Sequence, residues 1–221
     1  LDNWKDQKDD IKAVMEEYGL MMLSSEVASL DEDRLMKAFE AGAEIGIPVI
    51  NIGPGGKKDD EDSLKANLDI MAKMSEKAKD FGVTLCVKAH VGAAIHDTPT
   101  TLKAMDYIKS SAFGIDMDPS HIYRAGELPE EALPKVISRV RHIHIRDCKG
   151  RGPSPGEPTL QACGRGDINL FGYFKAMVDA CYKGPVCLEV IGPEQDMIAA
   201  SIIAAESYGY MNACLKKLGA R

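Results

Sequence analysis

Between residues 113 and 121 the chain reads FGIDMDPSH: an apolar opening, carboxylates at Asp116 and Asp118, a proline, then His121. Three other stretches carry similar groups. VTLCVKAH ends on Lys88 and His90, VRHIHIRD contains His142, His144, Arg146 and Asp147, and CLEVI contains Glu189. All five histidines lie between residues 90 and 144. Carboxylate oxygens mixed with imidazole nitrogens suit a divalent metal, Mn²⁺ or Zn²⁺ first and Mg²⁺ or Co²⁺ less so, with coordination positions left for a substrate.

Such chemistry requires elements that bring these residues together. Apolar periodicity predicts strands at 20–24, 48–53, 83–90, 113–118, 140–147 and 185–191. Helices are predicted over 5–18, 31–45, 63–79, 99–108, 129–139, 168–182 and 196–218, with Thr98 as the N-cap of the fourth. Strand and helix alternate strictly, which means a parallel sheet with crossover helices. The Gly- and Pro-rich stretch 149–166 reads as a long loop inside one domain spanning 1–221, because strand–helix units continue on both sides of it.

Side chains alternate faces along a strand. Leu85 and Val87 oppose Cys86, Lys88 and His90; Ile115 and Met117 oppose Asp116 and Asp118; Ile143 and Ile145 oppose His142, His144 and Arg146; Leu188 and Val190 oppose Cys187 and Glu189. One face of each strand is apolar and the other is charged towards its C-terminal end. An open sheet covered by helices on both sides would bury those charges unpaired, at several kcal/mol each. Its usual Gly-rich phosphate loop is also poorly matched by NIGPGGKK. A barrel turns the polar faces towards one axis, so Asp118, His144 and Glu189 should converge around a cation with His121 beside them.

The bulk composition narrows the function. The 221 residues carry a net charge of −7, which disfavours a nucleic-acid partner held through phosphates. No apolar run is long enough for a membrane span, and no signal-peptide pattern opens the chain. Six cysteines without a CxxC pair read as reduced thiols in a cytoplasmic protein, with no zinc knuckle or disulfide framework.

With these motifs in hand, the chain resembles the xylose isomerase-like TIM barrels, which include sugar and keto-sugar isomerases and epimerases, inosose dehydratases and apurinic endonucleases. The resemblance is carried by DPSHIYRAGE (118–127), HIHIRD (142–147), GRGDINL (164–170) and CLEVIG (187–192), with KAHVG (88–92) in support. It implies an α/β fold of the (β/α)8 type. It also implies Asp118, His144 and Glu189 as metal ligands, with Glu189 doubling as a catalytic base. His121 would act at the metal or substrate, and His90 would lie along the substrate. Arg165 would contact substrate from its loop, and Asp147 would support the site close to the substrate. Asp116 is expected as a structural carboxylate, paired to Arg146; His142 as core; His96 as uninvolved.

Two departures from the family pattern matter. Where the family supplies a metal-binding glutamate, this chain has Lys88. Three readings stay open: a side chain turned aside, a catalytic base or acid, or an ammonium in place of the ion. Six strands are counted where a closed barrel has eight, so the barrel is expected to be N-terminally incomplete. That predicts a longer parent protein or an oligomer that covers the open edges. The function expected is metal-dependent isomerisation or epimerisation of a sugar or keto-sugar by proton abstraction next to a carbonyl. A related dehydratase and a non-catalytic sugar-binding barrel are the alternatives. A phosphodiesterase is disfavoured by the acidic chain and by too few spare carboxylates near the histidines for a multi-metal cluster.

Overall fold

The computed structural model of the chain describes residues 3–221. Its elements run α1 (Trp4–Tyr18), β1 (Ser25–Val27), α2 (Glu32–Ile45), β2 (Val49–Ile52), α3 (Glu61–Asp80), β3 (Thr84–Lys88), α4 (Thr98–Tyr107), β4 (Phe113–Met117), α5 (Pro119–Arg124), α6 (Pro129–Val136), β5 (Val140–Ile145), α7 (Leu170–Asp179), β6 (Val186–Leu188) and α8 (Met197–Lys217). Among the described residues the six strands form one parallel sheet in the order β1-β2-β3-β4-β5-β6. No helix among them is long and apolar enough to cross a membrane.

Curvature follows from distances across this sheet. Neighbouring strands lie about 4.8 Å apart, so in a flat sheet β1 and β5 would be separated by roughly 19 Å. Instead Glu26 of β1 approaches His144 of β5 to 3.5 Å. The sheet is curled into a half-barrel, its concave face holding the polar residues and its convex face packed under helices. Ile50, Ile52, Leu85, Val87, Phe113, Ile115, Ile143 and Ile145 form the apolar layer with Leu35, Phe39, Met71 and Met74 from α2 and α3.

Several boundaries differ from expectation. The first strand is Ser25–Val27 rather than 20–24; Leu20, Met21 and Leu23 stay exposed on its approach. The N-cap of α4 is Asp97, not Thr98: its carboxylate accepts from Thr100 N at 2.9 Å, and the Thr100 hydroxyl closes a capping box. A six-residue helix, α5, was not expected. It starts because Asp118 accepts from Ser120 N at 2.8 Å and Pro119 occupies the first helical position. The last strand ends at Leu188, yet Glu189 N still bonds Ile145 O at 3.2 Å, so Glu189 stays registered against β5.

Candidate active site

The polar groups meet where the strands end. A cavity of about 550 Å³ opens there, lined by Glu26, Lys88, His90, His121, Arg146 and Glu189, with Leu30, Gly53 and Ala93 among its apolar wall. Lys88 Nζ stands at its floor, 3.1 Å from Glu26 Oε1 and 3.1 Å from Glu189 Oε1. Arg146 Nη1 lies 3.0 Å from Glu189 Oε2, and its Nη2 donates to Asp118 Oδ2 at 2.7 Å. Burial opposes the charge on Lys88, but Glu189 and Glu26 outweigh it and raise its pKa above the ordinary lysine value. Lys88 is therefore an ammonium at neutral pH.

Below this layer, Asp116 is fully buried between two imidazoles. His142 Nδ1 approaches its Oδ1 at 2.8 Å and His144 Nδ1 its Oδ2 at 2.6 Å. The expected partner of Asp116, Arg146, is engaged elsewhere. The β4–β5 register shifts between Ile115 and Asp116, which sets His142 opposite Asp116 and carries Arg146 up to Asp118. Burial alone would raise the Asp116 pKa; the hydrogen bonds from His142 and His144 overcome it and hold the carboxyl down to about 2. For His144, burial works against the charge, while Asp116 pushes its pKa up to about 10.

His121 sits in the first turn of α5, with its ring against His90 at 4.1 Å between centroids and the two planes tilted by 40°. Its Nδ1 accepts from Val91 N at 3.2 Å, and Arg124 and Arg146 crowd its two ring nitrogens at 3.0 and 3.1 Å. Burial first, then the charges of His90, Arg124 and Arg146, depress its pKa to about 3 despite Asp118. His121 is a neutral imidazole across the physiological range.

The remaining expected residues lie outside the cavity wall. Asp147 accepts backbone N–H groups from Cys148 at 2.9 Å, Gly164 at 3.0 Å and Ile168 at 3.1 Å, so it folds the loop that follows it. Arg165 points to Glu206 on α8 at 2.5 Å, half-exposed. His96 is buried against Ala93 O and Asp97, away from the cavity. Asp118 caps α5 and binds both Ser120 and Arg146, with its carboxyl held well below the usual range as those partners overcome its burial. Two residues that sequence reasoning missed join the site. Arg124 braces His121, and Glu26 stands in the ligand-like cluster. Glu26 was hidden by the misplaced first strand. Parity on the strand actually formed would have found it, since Glu26 registers with Asn51 and, through it, Cys86 on the inward row.

The chain belongs to the family of xylose isomerase-like TIM barrels, whose sequence model matches residues 1–208. Among curated relatives, an inosose dehydratase of Clostridium perfringens is 27% identical over 155 residues, which cover 64% of this chain and 50% of that protein. The chain thus spans about half the length of the curated relatives it matches. Among solved structures, a D-tagatose 3-epimerase-like protein superposes with a TM-score of 0.80 at 16% identity, covering 96% of this chain and 85% of the other. An IolI protein with a zinc atom bound superposes with a TM-score of 0.78 at 16% identity, covering 95% and 82%.

A divalent ion can be tested against the residues present. Glu26, His144 and Glu189 offer ligand atoms within 4.8 Å of one another. The His144 Nδ1–Asp116 bond leaves Nε2 directed at Glu26, the arrangement by which a carboxylate orients a ligating imidazole. This donor set fits a divalent ion. Asp116, His142 and His144 form a second such group, but both imidazoles already spend their Nδ1 on Asp116.

Proposed function

We propose that this half-barrel binds a sugar or keto-sugar and abstracts a proton next to its carbonyl, as an isomerase or epimerase. The observation that carries the reading is the Glu189–Lys88 pair: a half-buried carboxylate and a buried ammonium 3.1 Å apart on the wall of one cavity. Glu189 takes the proton from carbon, and Lys88 returns one from its ammonium. The charges of Lys88 and Arg146 stabilise the enediolate oxygen as it develops, in a site whose groups are already oriented. His90 and His121 line the substrate's other side and fix its hydroxyls. A divalent ion, Mn²⁺ or Zn²⁺, held through His144 and Glu189, would supply electrophilic polarisation of the carbonyl. The loop 149–166 lies at the same end of the sheet, tied to the exit of β6 by Gln161, which bonds Ile191 through both its amide atoms at 2.6 and 3.0 Å. It shields the intermediate from water in this reading.

A dehydratase is the second reading, favoured by the curated relatives named inosose dehydratase. It shares the proton abstraction; Lys88 then protonates a departing hydroxyl. The proposal also includes a cytoplasmic setting, in keeping with six free thiols, and a homo-oligomer that covers the exposed apolar residues Met21 and Ile191 near the two sheet edges. The deciding experiment follows deuterium from solvent into a ketose panel and into inosose by NMR. Exchange without loss of water supports the isomerase, and exchange with loss of water the dehydratase. Glu189→Gln should slow either by about 10²–10⁴-fold. No exchange in any substrate would leave a binding protein and refute both.

A further inference from the structure

The cation site of this barrel has an occupant built into the chain. The ammonium of Lys88 bridges Glu26 Oε1 and Glu189 Oε1, each at 3.1 Å, and His144 Nε2 lies 3.5 Å from Glu26 Oε2. A divalent ion bonding carboxylate oxygen and imidazole nitrogen at about 2.0–2.2 Å holds its ligand atoms roughly 3–3.5 Å apart. The ligand atoms of the two carboxylates and the imidazole all fall within 4.8 Å of one another, so a small inward movement would reach that spacing, and both carboxylates are drawn in around the Lys88 charge. Asp118 is differently placed. Its Oδ1 accepts from Ser120 N at 2.8 Å and Ser120 Oγ at 2.7 Å, and its Oδ2 from Arg146 at 2.7 Å, inside a fully buried network. Recruiting Asp118 to an ion would strip the cap of α5 and take from the Arg146 guanidinium its shorter carboxylate contact, leaving it Glu189, Ser120 Oγ and His121.

We propose that Glu26, His144 and Glu189 are the cation ligands of this protein, and that Lys88 is a resident cation which a divalent ion must displace. Glu26 restores from β1 the carboxylate that Lys88 removes from β3. The ammonium and the ion cannot share the site, because a +1 and a +2 charge a few ångströms apart in a partly buried pocket repel strongly. Lys88 therefore sets the concentration at which metal loads. The site would then have two states: the ammonium-bridged one seen here, which holds Glu26 and Glu189 together, and a loaded one in which Glu26, His144 and Glu189 would hold the ion and Lys88 would leave its place between the carboxylates. The inference rests on the metal part of the reading above.

The test uses Co²⁺ as the probe, titrated into the chelator-treated chain and followed by its visible absorption, with Zn²⁺ as competitor. Lys88→Met should bind Co²⁺ about 100-fold more tightly than the parent. Adding Glu26→Gln to that variant should reverse the gain by at least about tenfold. An affinity for Lys88→Met within about threefold of the parent, or a gain that survives Glu26→Gln, would overturn the proposal. Should Lys88→Met fail to fold, Glu26→Gln alone decides, since Glu26 sits at an exposed sheet edge: its Co²⁺ affinity must fall by about tenfold or more, and an unchanged affinity refutes the ligand set. Deuterium exchange on the same samples separates this claim from the functional one. Exchange with a failed titration sinks the ligand assignment alone, and a successful titration without exchange sinks the enzyme reading alone.

Discussion

Asp116→Asn offers the sharpest test of how the site is held together. The substitution keeps the shape but replaces a buried anion that serves two imidazoles with an amide that can accept from only one. Breaking a buried pair from one side costs about 3–5 kcal/mol. The low end, about 3 kcal/mol, is expected here because the amide oxygen still serves one histidine. In a chain of this size each kcal/mol moves Tm by about 2–4 °C, so the variant should melt roughly 6–12 °C lower at neutral pH. The pH dependence carries a sign. His144 has its pKa raised from 6.5 to about 10, so the stabilisation it shares with Asp116 is fully present below pH 6.5 and is lost as pH rises through about 10. Asp116 is held down to about 2, so its contribution is present above pH 3.8 and is lost as pH falls through 2. Urea unfolding of both proteins with a chelator present, at pH 7 and pH 10, reads the difference directly. The gap between parent and variant should be wide at pH 7 and mostly closed at pH 10. A gap under about 1 kcal/mol at pH 7, or one that persists at pH 10, would refute the charged Asp116–His144 pair.

Two more outcomes follow from neighbouring residues. His121 has its pKa lowered to about 3, so between pH 6.5 and 3 the unfolded chain binds a proton that the folded chain refuses, and stability falls as pH falls. His121→Gln should flatten that part of the acid limb in urea titrations; an unchanged slope would mean that the imidazole is protonated in the fold. Asp147→Ala removes the acceptor of three backbone N–H groups and should cost about 2–3 kcal/mol. Limited proteolysis should then cut first within 149–168, and protection equal to the parent's would show that the loop is held by other bonds.

The sequence made the inward face of β3, β4 and β5 legible because strand periodicity is two and does not drift. Lys88, Asp116, His142 and His144 could be assigned to one side without knowing the register. Register is what periodicity withholds. The slip between Ile115 and Asp116 decides that Asp116 meets His142 and His144 while Arg146 meets Asp118, and nothing in either strand alone encodes it. Glu26 escaped for a related reason. The apolar run at 20–24 looks more strand-like than SEV, yet the three residues that pair with β2 are the less apolar ones. The short helix α5 was lost because six residues are too few for helical periodicity, although Asp-Pro-Ser is itself a cap signature. The expectation for Arg165 depended on the direction of a loop, which Asp147 and the pull of Glu206 determine and which no spacing records.

The curl of the sheet and the chemistry of the site have a common cause. Glu26, Asp116, Asp118 and Glu189 all project from the concave face, and each buried carboxylate needs a partner at hydrogen-bond distance. In a flat sheet Glu26, on the first strand, and Glu189, just past the end of the last, would be stranded far from Lys88 on β3. Bending brings both onto a single ammonium and brings Arg146 between Asp118 and Glu189. The same bending leaves one side of the cluster open to the cavity, where Lys88, Arg146, His90 and His121 can face a ligand. Removing Lys88 should therefore act on shape as well as charge. Without a cation, native or added, between Glu26 and Glu189, like charges repel across the mouth of the half-barrel, and the edges that carry β1 and β6 should loosen before the centre does.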